Sequence, residues 1–117
     1  MDFDALYQKI MSLSPDVRFV MILNKNGEKV SGGYRENLKG FLTEEELNMV
    51  LYHAGQRWES RKHLLHKIGN ALYSMTEYEK IKRMSFPIDE KHMVLVSTET
   101  SVDHNMIIGK ILELIKK

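Results

Sequence analysis

Apolar residues at the start of the chain fall at helical spacing: Phe3, Leu6, Tyr7, Ile10 and Met11 predict an amphipathic helix over 3–13. Ser14-Pro15-Asp16 ends it, because proline disfavours the helical region for the residue before it. Between Val17 and Leu23 the apolar side chains occupy both parities, which predicts a strand covered on both faces or set at the centre of a sheet. Asn26-Gly27 then signals a hairpin through a type I′ turn, which needs positive φ at both central positions. The return strand, 28–34, is short and polar, as suits a sheet edge, and Gly32-Gly33 predicts a bend or bulge before the chain leaves the sheet.

Thr43-Glu44-Glu45-Glu46 is a capping box, with Leu42 and Leu47 placed to close as a hydrophobic staple. From there Leu47, Val50, Leu51, Ala54, Trp58, Leu65, Ile68 and Leu72 share one helical face. A continuous helix over that stretch would be ~45 Å long, more than a 117-residue domain is wide, so a break near 55–60 or a stop at Gly69 is expected. Residues 70–88 read as helix or strand, although Met84, Phe86 and Ile88 alternate as strand residues do. Asp89-Glu90 makes a turn, and 92–98 is a buried strand. Thr100 or Ser101 caps a last helix carrying Ile107, Ile108, Ile111, Leu112, Leu114 and Ile115, with Lys116-Lys117 complementing its dipole. The apolar face of that helix covers about 160°, against a usual stripe of ~100°. One sheet face covers part of it; a second subunit is the expected cover for the rest, the first helix packing beside it the alternative. The order predicts one α+β domain, 1–117: an antiparallel sheet of about four to five strands with helices on one or both faces.

Composition narrows the function classes. With a net charge of +1 there is no bulk drive toward nucleic acid or an anionic membrane. The absence of cysteine excludes disulfides, thiolate nucleophiles and cysteine–zinc sites. The first 13 residues lack a basic start and a long apolar core, and no run approaches the ~20 apolar residues a bilayer needs, so a soluble cytoplasmic protein is expected.

Few residues carry candidate chemistry. Gly27, Gly32 and Gly33 are spaced loosely like a phosphate loop, but Tyr34-Arg35 follows where Gly-Lys-Ser/Thr would stand, so turn and bulge roles are expected. Arg61 falls on the apolar stripe between Trp58 and Leu65, and a buried guanidinium must find a carboxylate, carbonyls or a bound anion. The alternatives are a bend that frees Arg61 to solvent, or stacking on Trp58. Glu59, His63 and His66 have helical spacing for a metal site, yet His63 and His66 lie off the apolar stripe, and a solvated face is the expected reading. Arg57, Arg61, Lys62, Lys67, Lys80, Lys82 and Arg83 interleave with Trp58, Tyr73 and Tyr78 in a pattern open to nucleic acid, diluted by Glu59, Glu77 and Glu79. No nucleophile motif or paired acids stand out, so no enzyme, metal or cofactor is expected.

The element order resembles the roadblock/profilin-like group of small α/β/α regulatory modules, which share features with PAS-type sensors. "RFVMILNKNGEKVSGGY", "LTEEE", "RKHLLHKIGNALYSMTEYEKIKR" and "VLVSTE" resemble a family of small archaeal proteins of the ammonia-oxidising lineages, for which no activity is established. The roadblock resemblance implies homodimers or protein partners and regulation rather than catalysis. The expected function is thus a non-enzymatic regulatory or adaptor module, a homodimer with Trp58, Arg61, Tyr78, Lys80, Lys82 and Arg83 as one partner- or ligand-binding surface. The alternative is a PAS-like sensor with a small-molecule pocket between sheet and helices; nucleic-acid binding is a weaker third.

Overall fold

Local sequence sets the first hairpin, and a computed structural model shows how. It describes residues 1–62 and 65–116, with all their side chains except those of Leu65 and His66. Helix α1 (Phe3–Met11) leads into β1 (Val17–Asn24) and β2 (Lys29–Tyr34). The turn between them differs from the expected type I′. Only Gly27 has positive φ (+81°), and its N–H donates to Asn24 O at 2.9 Å. The Asn24 side chain explains the change: its Oδ1 accepts from the Asn26 and Glu28 amides at 2.9 and 3.1 Å, holding a three-residue loop that closes on a left-handed glycine. The register slips at Val30, where Ile22 pairs with Ser31 and Leu23 with Lys29, rather than at the glycines. Gly32 instead presses against β1.

After β2, α2 (Glu44–Arg61) starts on the expected capping box, with Glu46 N–H donating to Thr43 Oγ1 and Thr43 N–H to Glu46 Oε1. Thr43→Ala is expected to lower unfolding free energy by about 1 kcal/mol, readable in a urea melt; an unchanged midpoint would show the box idle. The helix ends at Arg61, a little beyond the expected break, and a short α3 (Leu65–Ile68) precedes Gly69 at φ +85°. The longest dimension of the molecule is 42 Å, too short for the unbroken helix. Losing helical phase leaves Ile68 and Leu72 exposed rather than on the core face.

The ambiguous stretch 70–88 resolves as strands β3 (Ser74–Glu77) and β4 (Lys82–Pro87), and the expected strand β5 (His92–Thr98) leads to α4 (His104–Ile115). Asp103, not Thr100 or Ser101, caps α4, its Oδ1 accepting from the Met106 amide at 3.3 Å. Val102 is buried one residue earlier, so the chain is pinned to the core before it turns helical. Lys116 lies beyond the last turn in an extended conformation, and Lys117 lies outside the described residues.

The sheet is wholly antiparallel in the order β2-β1-β5-β4-β3, with β2 at an edge as expected. Both parities of β1 are used because both sheet faces are covered. Val20 and Ile22, with Met84, Phe86, Val94 and Val96, meet α1 and α4. Phe19, Met21 and Leu23, with Met93 and Leu95, meet Leu47, Leu51, Ala54 and Trp58 of α2. The result is an α/β/α sandwich. On the first face α1 packs beside α4, and Ile107, Ile108, Ile111 and Ile115 are all buried within one chain. The sheet and α1 thus cover much of the wide apolar face of α4, with Leu112 and Leu114 left partly buried. On the other face, Gly27 and Gly55 let the hairpin touch α2: a Cβ at Gly27 would lie 2.6 Å from Tyr52 Cα, and one at Gly55 2.7 Å from Lys25 O. That approach places the hairpin beside the C-terminal end of α2.

Candidate functional site

The residues expected to form one surface occupy two ends of α2 and, for one of them, the opposite face of the sheet. At the C-terminal end, Trp58 projects from the inner side of α2 and is 8 % exposed. Arg61, three residues on and so on the same face, lies with its guanidinium 4.7 Å from the indole centre, the stacked arrangement weighed as an alternative to burial. Arg61 Nη2 reaches Ser74 Oγ at 3.4 Å, linking the end of α2 to the start of β3. Arg61 Nη1 and Trp58 Nε1 are buried with no acceptor among the described residues, and an unsatisfied buried donor costs roughly 1–3 kcal/mol. Burial first, and the like charge of Arg57 second, hold the Arg61 guanidinium below its ordinary range.

These groups border a cleft of about 520 Å³ between the end of α2, residues 70–72, the β4–β5 turn and the end of α4. Leu72, Ile88, Met93 and Ile115 give it apolar walls. On its rim, the Asp89 carboxylate takes the Lys91 amide at 2.8 Å and His92 Nδ1 at 3.0 Å. His63 lies outside the described residues, as does the side chain of His66, and among those described no cluster of three or more His, Asp or Glu is placed to hold a metal.

At the N-terminal end of α2 the loop after β2 carries Phe41, 60 % exposed. Arg18 Cζ lies 4.7 Å from its ring centre and Lys80 Nζ 5.6 Å away. Beside them Arg83 stacks on Tyr78 at 5.2 Å, its Nη1 reaching Tyr78 Oη at 3.5 Å and its Nε buried without a partner among the described residues. Arg18 Nη1 donates to both oxygens of Glu99 at 2.9 and 3.0 Å. Arg83 and Lys82 are neighbours on β4 and so point to opposite faces. Lys82 is buried on the α4 side, its Nζ donating to Val102 O at 2.9 Å and facing His104 Nδ1 at 2.9 Å. It is a structural lysine fastening the N-terminus of α4, not part of the basic surface.

The structure thus brings Tyr78, Lys80 and Arg83 together, brings Trp58 and Arg61 together, and keeps the two groups apart. Sequence reasoning passed over Arg18, Phe41 and Ser74. A lone arginine inside Val17–Leu23 and a phenylalanine just before a capping box were the available signals; nothing local pointed to Ser74. Guanidinium, ammonium and indole N–H groups bind acceptors and anions, while aromatic faces take cations and apolar groups, so both surfaces carry chemistry suited to recognition.

Among the described residues no helix is long and apolar enough to cross a membrane. No curated protein matches the sequence significantly. Solved structures share the fold. A roadblock/LC7 domain from Streptomyces avermitilis is 13% identical with a TM-score of 0.73, over 99% of this chain and 93% of that one. MglB of Myxococcus xanthus is 12% identical with a TM-score of 0.72, over 98% and 92% of the two chains. The gliding protein MglB of Thermus thermophilus is 9% identical with a TM-score of 0.73, over 95% and 83%. At these identities the likeness is one of fold, and the roadblock-like sandwich expected from the element order is the one observed. In sequence the match is to a family model spanning residues 2–117, and the chain belongs to the family of unknown function DUF6659.

Proposed function

We propose that the chain is a cytoplasmic, non-enzymatic regulatory or adaptor module, of the small archaeal kind its sequence resembles, acting through protein–protein contacts as a homodimer. The observation that carries this is the cation–aromatic surface at the N-terminal end of α2, where an exposed Phe41 sits between Arg18 and Lys80 beside the stacked Arg83–Tyr78 pair. Exposed aromatic anchors such as Phe41 and Tyr78 are usual hot spots of interfaces. Arg18 is already paired with Glu99, and the positive charge of Lys80 and Arg83 beside these rings suits an acidic partner. For the homodimer, support comes from the outer side of α2, where Met49 and Tyr52 stand exposed at i, i+3. A solved MglB of the same fold has a tetrameric arrangement.

Light scattering on the purified chain is expected to give a dimer mass. The tagged protein is expected to retain a partner from its native extract that the folded double variant Lys80→Glu, Arg83→Glu does not. A monomer at every concentration would remove the homodimer, and equal retention by the variant would remove this surface. A second reading, the PAS-like small-molecule sensor, is favoured by one feature: the cleft of about 520 Å³ with Trp58 and Arg61 in its wall, a size that accommodates metabolites.

A further inference from the structure

The wall of that cleft contains donors without acceptors. Trp58 Nε1 and Arg61 Nη1 are both closed off from solvent, and no acceptor among the described residues reaches either. Among the described residues, the remaining hold on the Arg61 guanidinium is one long hydrogen bond to Ser74 and the stack on Trp58. Burial and the charge of Arg57 both act against its cation, and an anion at this point would relieve both. Among the described charged side chains lining the cleft, five are Lys or Arg and three are Asp or Glu. One of the three, Asp89, is already engaged by the Lys91 amide and His92. The adjoining wall is apolar.

We propose that the cleft binds a small amphipathic carboxylate, its two oxygens received by Arg61 and the Trp58 indole N–H, its apolar body lying along Leu72, Ile88 and Met93. This rests on the sensor-like reading of the same cleft. Two unpaired N–H groups match the two oxygens of a carboxylate, and a planar guanidinium receives such a group in a fork. A phosphate would turn a third charged oxygen toward the apolar wall. Arg61 is the half-buried member of the pair, so it is the side chain that swings to admit the headgroup.

Trp58 is the only tryptophan in the chain, so indole fluorescence reports on this wall directly. The full chain is titrated with decanoate, decyl phosphate and decanol, and Arg61→Gln is titrated alongside. Decanoate is expected to give a saturable change and to bind at least about tenfold tighter than decanol, with that preference lost in Arg61→Gln. Decanol binding as tightly as decanoate, or the preference surviving in Arg61→Gln, overturns the carboxylate while leaving a sensor cleft. Tighter binding of decyl phosphate overturns the choice of headgroup. No saturable response to any of the three overturns both the carboxylate and the sensor-like reading. If Arg61→Gln does not fold, comparing decanoate with methyl decanoate on the unaltered chain decides the same question.

Discussion

Gly32→Ala is expected to lower the unfolding free energy by roughly 3 kcal/mol or more, measured as a shift in the urea midpoint at constant slope. Gly32 has φ +134°, a region that residues with a Cβ rarely enter. A Cβ there would lie 2.1 Å from Val20 O and 2.9 Å from Met21 Cα. Both atoms are backbone of β1, so no side chain can turn aside to make room. Relief would have to come from parting β1 and β2 where Met21 pairs with Gly32 and Val20 with Gly33. Against a typical total of ~5–15 kcal/mol, that loss is large. Gly33→Ala is the internal control: nothing lies within 4 Å of its added Cβ and its φ is not positive, so it should leave stability nearly unchanged. If the two variants melt together, the close approach at Gly32 is not what holds this edge of the sheet.

That glycine also shows how far the sequence could be read. What local chemistry decides was legible. The capping box at Thr43 and the two-faced strand Val17–Leu23 appear where expected, because each depends on residues within a few positions. The stack of Arg61 on Trp58, open in sequence as an alternative, follows from residues three apart on a helix sharing a face. What register and tertiary neighbours decide was not legible. The bulge falls at Val30 while Gly32 packs flat on β1, and both depend on the partner strand. Asn26-Gly27 alone suggests a type I′ turn, and the Asn24 side chain overrides it. Lys82 looked like a surface cation beside Arg83; strand parity sends it into the α4 face, and that parity could not be set until 70–88 was known to be strand. Phe41 gains meaning only when Arg18 and Lys80, distant in sequence, close on it. Nothing local says that α1 lies beside α4, so how much of that helix's wide face a single chain covers was not legible.

Arg35 is the clearest residue of that long-range kind, and its removal is the second large effect expected. Its Nε donates to Val17 O at 2.8 Å, and its Nη2 to Met11 O and Ser14 O, each at 2.7 Å. Its own amide donates to Arg18 O at 2.8 Å. Met11 and Ser14 stand at the end of α1 and just beyond it, where carbonyls lack helical partners and the dipole is negative, so a guanidinium there satisfies both needs. One side chain thus fastens the end of β2 to the start of β1 and the exit of α1. Hydrogen bonds from a charged donor are worth ~1.5–3 kcal/mol each; the site is only half-buried, so water recovers part of this when the group is lost. Arg35→Ala is therefore expected to cost about 2–3 kcal/mol in total, on the order of 10 °C in melting temperature for a domain of this size. Arg35→Lys should recover little, because a point-like ammonium cannot span three carbonyls. Hydrogen exchange adds a local readout: the α1 amides should lose protection more than those of α2, since the staple ends on α1. Uniform loss across both helices, or an alanine variant as stable as the parent, would show that α1 is held by its apolar face alone.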